Sequence, residues 1–109
     1  MKSLVAALAA VFLAGSALIA SAADDAAAES LMKKSGCFKC HSVDKKKDGP
    51  AYHEVATKLK GKPGAEDELY KHLTTHPTVK VDGKEEKHES LKTTDDAQIK
   101  NVIGWILSR

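Results

Sequence analysis

The chain places its two cysteines and one of its five histidines close together, as Cys37, Cys40 and His41. Four kinds of site use some of these side chains: a disulfide, a zinc site, a thiol redox site and a covalently attached haem. A disulfide between Cys37 and Cys40 would close a very small loop and constrain the unfolded chain little. A structural zinc ion needs four protein ligands, and the adjacent Cys40 and His41 cannot easily both face one metal ion.

The pattern Cys-x-x-Cys-His uses all three residues as the attachment signature of a c-type haem. A thioredoxin-like redox pair would lie near a βαβ unit, whereas this sequence has helical rather than strand-like patterning. In the haem interpretation, the thiols of Cys37 and Cys40 form thioether bonds to the two vinyl groups, and His41 binds the iron. The motif therefore predicts one covalently bound haem c.

The first 22 residues have the pattern of a secretory signal peptide. Lys2 precedes an apolar run that ends at Ala20, and the small residues through Ala22 form a cleavage site. The abundance of alanine and the cleavable end favour a signal peptide over a transmembrane anchor. We predict a signal peptide at residues 1–22 and a mature domain at residues 23–109, exported to the periplasm of a bacterium and without a stable membrane anchor.

Length and charge limit what the mature domain can be. A chain of 109 residues accommodates one domain, and so small a core gains stability from a large apolar cofactor. The formal net charge is +2, which does not indicate a nucleic-acid partner. Outside the haem motif, the sequence offers no nucleophile beside a base and no evident pair of catalytic carboxylates, so we do not expect an enzyme.

Four landmarks in order make most of residues 25–109 similar to the small class I bacterial cytochromes c. They are a helix leading into GCFKCH, a Gly-Pro segment followed by a helix, a middle helix and an amphipathic closing helix. The resemblance implies an all-α, class I cytochrome c fold, with about four short helices wrapped around one haem c. It also implies that the protein transfers electrons.

Local signals predict where these helices lie. Propensity and apolar spacing favour helices over residues 25–35, 51–60 and 65–74. Residues 77–93 lack a sustained period and are predicted to be a loop, in which residues 79–81 could pair briefly as a strand. Thr94 is the predicted N-cap of the closing helix. The apolar stripe of that helix consists of Ile99, Val102, Ile103, Ile106 and Leu107.

The sixth iron ligand departs from the family pattern, which places a methionine on the loop before the closing helix. The two methionines here are Met1 and Met32, so none follows the haem motif. His88 lies nearly at the family's methionine position and is the predicted sixth ligand. His76 is the second candidate, and an empty sixth site is the third. Imidazole donates more strongly than a thioether, so histidine ligation predicts a lower potential.

The resemblance also implies residues around the haem. The carbonyl of Pro50 is expected to accept a hydrogen bond from His41 and so fix its ring. His72 is expected near the haem edge or at the surface, and His53 is expected to be an exposed polar residue. The predicted haem-lining side chains are Tyr52, Leu59, Leu69, Leu73, Val102 and Ile106.

Together these features predict a periplasmic one-electron carrier with histidine–histidine ligation. A haem-based binder or sensor of small ligands, in which His88 detaches, is one alternative. An electron-transfer subunit of a periplasmic oxidoreductase complex is the other. Lysines around the haem motif would steer the acidic surface of a redox partner to the haem edge, or would simply form a solvated loop. They are Lys33, Lys34, Lys39, Lys45, Lys46 and Lys47.

Overall fold

The computed structural model describes residues 24–109, and the predicted signal peptide at residues 1–22 lies outside them. Among the described residues no helix is long and apolar enough to cross a membrane. Within residues 24–109, four α-helices, one 3₁₀ turn and one hairpin follow in order. They are α1 (Asp25–Lys34), the 3₁₀ turn (Cys37–Lys39), α2 (Tyr52–Leu59), α3 (Ala65–Thr74), β1 (Thr78–Val81), β2 (Lys84–Lys87) and α4 (Asp96–Leu107).

The core forms where α2, α3 and α1 pack against α4. The predicted apolar stripe of α4 is buried, except for Leu107, which is half-buried. Met32 of α1 and Val102 of α4 are both 0% exposed. Full burial of a side chain of this size stabilises the fold by roughly 1.5–3 kcal/mol, so this shared interface is the main support for the elements around it.

Hydrogen bonds fasten the first helix to the last. The side chain of Asp24 caps α1 by accepting from the backbone N–H of Ala27 at 3.1 Å. The backbone of Asp24 in turn exchanges two hydrogen bonds with the Asn101 side chain, at 2.8 and 2.9 Å. Trp105 donates from its indole Nε1 to the Glu29 carboxylate at 3.3 Å. The start of α1 is therefore held in place on α4.

The start of α4 differs from the sequence prediction by one residue. Asp95, not Thr94, is the N-cap, because its carboxylate accepts from the backbone N–H of Gln98 at 2.9 Å. The hydroxyl of Thr93 accepts from the backbone N–H of Asp95 at 3.1 Å and fixes the turn. The prediction for Thr94 was wrong because several consecutive residues here are good caps, and local preference cannot choose among them.

A hairpin occupies much of the segment that we predicted as a loop. The brief strand predicted at residues 79–81 is the end of β1, and it pairs with β2, which was not predicted. Asp82 and Gly83 both have positive φ, 50° and 77°, the conformation that a two-residue hairpin turn requires. We missed β2 because its sequence, KEEK, has low strand propensity and is fully exposed. The backbone N–H of His88 donates to the Pro77 carbonyl at 2.8 Å and closes the base of the hairpin.

The N-cap of α4 can be tested by substituting Asp95, with its neighbour Thr94 as the matched control. Asp95→Ala should lower the free energy of unfolding by about 1 kcal/mol, because it removes the partner of an otherwise unpaired helix N–H. Thr94→Ala should change it by less than about 0.5 kcal/mol, since Thr94 is exposed and its side chain is not the cap. Urea unfolding of the two variants measures the difference. Equal losses, or a larger loss for Thr94→Ala, would contradict the assignment of the cap.

Candidate haem site

Both cysteines lie on the short turn between α1 and α2. Cys37 begins the 3₁₀ turn and Cys40 ends it, and both thiols are free and half-buried. The carbonyl of Cys37 accepts from the backbone N–H groups of Cys40 and His41, at 3.3 and 3.0 Å. Gly36, with φ of 79°, turns the chain out of α1 and into this motif. Local hydrogen bonding therefore places two reduced thiols and one imidazole on a single turn.

The Cys37 thiol has the wrong electrostatics for a redox nucleophile. Burial raises its pKa above the ordinary value of a thiol. Reactive cysteines have lowered pKa values, because the thiolate is the species that attacks. The environment of Cys37 therefore does not favour thiol–disulfide exchange.

The ring of His41 has its proton position fixed by Pro50. Nδ1 of His41 lies 2.7 Å from the carbonyl oxygen of Pro50. A carbonyl oxygen can only accept, so Nδ1 carries the hydrogen and Nε2 keeps its lone pair. The lone pair on Nε2 is the one that a metal ion would take.

Two neighbours define a narrow slot around the same ring. A Cβ atom at Gly49 would lie 2.5 Å from Cε1 and 2.8 Å from Nδ1 of His41, far inside van der Waals contact. On another side the Tyr52 ring stacks on His41, with centroids 4.9 Å apart and planes at 26°. Tyr52 is itself buried against Trp105, with ring centroids 5.2 Å apart. The aromatic core therefore fixes the orientation of His41.

A second imidazole faces His41 from the segment that follows the hairpin. The ring centroids of His88 and His41 are 6.1 Å apart, with planes tilted at 57°. Nδ1 of His88 is buried and has no hydrogen-bond partner among residues 24–109. Burial, followed by the charges of His72 and His41, lowers the pKa of His88 to about 4. At neutral pH His88 is therefore an uncharged imidazole, the form that binds metals.

The gap between these rings matches one bound metal ion. Two imidazoles bound on opposite sides of a metal, with bonds of about 2 Å, place their ring centroids a little over 6 Å apart. The observed separation of 6.1 Å agrees with this value. The donor set and its spacing thus fit a haem iron between His41 and His88, with the two thiols beside it.

The remaining histidines take different positions. His76 is exposed between α3 and β1, and its backbone N–H donates to the Ser90 hydroxyl at 3.2 Å. His53 is exposed, and its Nδ1 lies 3.3 Å from the backbone oxygen of Arg109. His72 is half-buried on α3, and its ring centroid is 4.1 Å from that of His88. Its neighbours Leu69 and Leu73 on the same helix face are the sequence signal for its burial.

The predicted pocket residues lie mostly in one cluster. Leu59 packs at its edge, and Pro50 is exposed except that its carbonyl meets His41. Leu91 is not among the residues predicted from the sequence, yet it is 7% exposed and its N–H donates to the Leu73 carbonyl at 2.9 Å. The buried pocket residues are Tyr52, Leu69, Leu73, Val102 and Ile106.

Comparison with known proteins agrees with the geometry. The family model described as cytochrome c matches residues 26–109. Cytochrome c-551 of Pseudomonas aeruginosa is 37% identical over 81 residues, which cover 74% of this chain and 75% of the relative. Cytochrome c-552 of Hydrogenobacter thermophilus is 35% identical over 89 residues, covering 73% and 79%.

Solved structures share the architecture as well. The class 1 cytochrome MtoD of Sideroxydans lithotrophicus superposes with a TM-score of 0.76 at 47% identity, covering 80% of this chain and 97% of its own. Cytochrome c552 of Nitrosomonas europaea has a TM-score of 0.57 at 28% identity, covering 73% and 96%. The chain belongs to the cytochrome c family.

As a cytochrome c, the protein carries one covalent haem c, and its two cysteines provide the attachment points. Its relatives are small monohaem electron carriers rather than enzymes, and the predictions of haem, electron transfer and no enzyme activity are confirmed. The predicted class I fold is confirmed too, with the small β1–β2 sheet added to its four helices.

Basic residues lie on the surface of this cytochrome c next to the haem motif. Phe38, His41 and Val43 line a shallow cleft together with Lys45 and Lys47. Lys47 donates from Nζ to the Phe38 carbonyl at 2.9 Å, so its ammonium group is held at the rim. The six lysines near the motif named above are all exposed.

The lack of room for a side chain between Gly49 and the His41 ring can be tested by substituting Gly49. Gly49→Ala should displace the His41 ring and lower stability by roughly 1–3 kcal/mol, the usual cost of overpacking. The visible spectrum should show a perturbed axial ligand, and thermal unfolding should show the loss. Gly61→Ala is the control: a Cβ there meets nothing within 4 Å, although its φ of +77° is strained for alanine. Unchanged spectrum and stability in Gly49→Ala would contradict the slot.

Proposed function

We propose that this cytochrome c is a periplasmic one-electron carrier whose haem iron is bound by His41 and His88. The observation that carries this proposal is the 6.1 Å separation of the two rings. The buried, unpartnered Nδ1 of His88 adds support, because a buried polar atom without a partner costs roughly 1–3 kcal/mol unless something binds that nitrogen. The proposed location depends on the signal peptide predicted at residues 1–22.

Each residue of the site then has a role. Cys37 and Cys40 would hold the haem covalently, and the imidazoles of His41 and His88 would bind its iron. When bound, the haem would supply the redox-active iron. Pro50 keeps Nδ1 of His41 protonated and so keeps Nε2 available. Because imidazole stabilises ferric iron more than a thioether does, His88 lowers the potential relative to methionine ligation.

Backbone hydrogen bonds hold both His88 and the chain that follows it. Its own N–H donates to the Pro77 carbonyl at 2.8 Å. Three residues later, Leu91 is buried and hydrogen-bonded to Leu73 on α3. These ties favour the carrier over a small-ligand binder, which would need His88 to leave readily. The exposure of His76 makes it the weaker candidate for the sixth ligand.

The lysines beside the cleft suit a docking surface for a redox partner with an acidic face. Opposite charge raises the rate of encounter and has less effect on the final affinity. Lys45 and Lys47 line the cleft that also contains His41, so an acidic partner attracted there would approach the haem motif.

The ligand assignment is tested by electron paramagnetic resonance of the oxidised holoprotein. The wild type should give a low-spin spectrum with two nitrogen ligands. Replacing His88 by Ala should change the g-values or the spin state, because it removes the sixth ligand. His76→Ala is the control and should leave the spectrum as it is. A high-spin wild type, or a spectrum altered by His76→Ala and not by His88→Ala, would overturn the proposal.

The docking surface is tested with an anionic inorganic oxidant such as ferricyanide. Lys45→Glu/Lys46→Glu should slow oxidation by roughly tenfold at low ionic strength, and the difference should shrink in high salt. Lys60→Glu/Lys62→Glu makes the same change of charge on the exposed turn between α2 and α3. Equal slowing by both pairs at every salt concentration would show that only net charge matters.

A further inference from the structure

A second imidazole lies beside the proposed sixth ligand. The ring centroid of His72 is 4.1 Å from that of His88, and the ring planes are tilted at 51°. His72 is half-buried on α3. The ring of His88 therefore has a second imidazole in contact with it.

These two histidines are carried by unlike parts of the fold. His72 lies inside α3, between Leu69 and Leu73, which are each 6% exposed and anchor the helix in the core. His88 lies directly after β2, whose four residues are all exposed. The position of His88 therefore depends on the hairpin, whereas the position of His72 depends on the packed helix α3.

Resting on the proposed His41–His88 ligation, we propose that His72 is a reserve sixth ligand that binds the haem iron when His88 is displaced. The observation that carries it is the direct contact of the His72 ring with the His88 ring, which itself lies 6.1 Å from the ring of His41. His76 cannot take this role equally well, because it is exposed at the surface between α3 and β1.

The exchange is balanced without any co-reactant. One iron–nitrogen bond to His88 breaks and one iron–nitrogen bond to His72 forms. Both donors are neutral imidazoles, so no proton or electron is gained or lost. Because the rings are in contact, only one of them can bind at a time, and His72 binds by turning its side chain into the place that His88 leaves.

As a consequence, the sixth coordination position of the iron stays filled when the hairpin is disturbed. A protein with one distal ligand would expose its iron to gases and peroxide whenever that ligand moved. Because His72 lies beside His88, the iron keeps two nitrogen ligands when His88 moves, and the protein stays an outer-sphere electron carrier. The ligand identity and the spectrum change, whereas the coordination number does not.

The test compares four holoproteins at pH 7 by ferric electron paramagnetic resonance: the wild type, His72→Ala, His88→Ala and the double variant. Wild type and His72→Ala should both be low-spin. His88→Ala should stay low-spin with shifted g-values, and the double variant should become high-spin. If His88→Ala fails to fold with haem, His88→Gln, which keeps a side chain of similar size, replaces it in both single and double variants.

The outcomes separate this proposal from the one on which it rests. A low-spin wild type with a high-spin His88→Ala would overturn the reserve ligand and leave His88 as the sixth ligand. A double variant that remains low-spin would also overturn it, because another residue would then be the ligand. A high-spin wild type would overturn the His41–His88 assignment itself, and a high-spin His72→Ala alone would overturn both.

Discussion

The hydrogen bond from Nδ1 of His41 to the carbonyl oxygen of Pro50, 2.7 Å long, is the interaction on which the rest of the site depends. It fixes which nitrogen carries the proton and therefore which one is open to iron. Gly49 and Tyr52 confine the ring, because a side chain at Gly49 would collide with it and Tyr52 stacks on it. Trp105 supports Tyr52 from α4, so the position of one imidazole depends on the packing of the whole helical core.

The side of the site that carries His88 is held less rigidly. His88 follows an exposed hairpin and is held by one backbone hydrogen bond to Pro77 and by the buried Leu91 nearby. Its Nδ1 is buried without a partner among residues 24–109, an arrangement that favours a state in which this nitrogen is bound. The ring of His41 is therefore fixed by the helical core, whereas the ring of His88 is positioned by the segment after the hairpin.

Much of this organisation can be predicted from the sequence, because its signals are local. Cys37, Cys40 and His41 form a contiguous motif, and all four helices have apolar spacing or propensity that marks them. Features set by distant contacts could not be predicted in the same way. The choice of Asp95 over Thr94 as cap depends on the Thr93 hydroxyl, and the strand formed by KEEK depends on its pairing with β1. The contact of His72 with His88 joins a helix to a loop across the hairpin.

The central claim is that two imidazoles, and no sulfur atom, bind the iron axially. Near-infrared magnetic circular dichroism of the oxidised wild-type protein tests it most directly, because the charge-transfer band of low-spin ferric haem depends on the pair of axial ligands. The account predicts the band of histidine–histidine ligation. A band of histidine–methionine ligation, or the spectrum of high-spin iron with an open site, would contradict it.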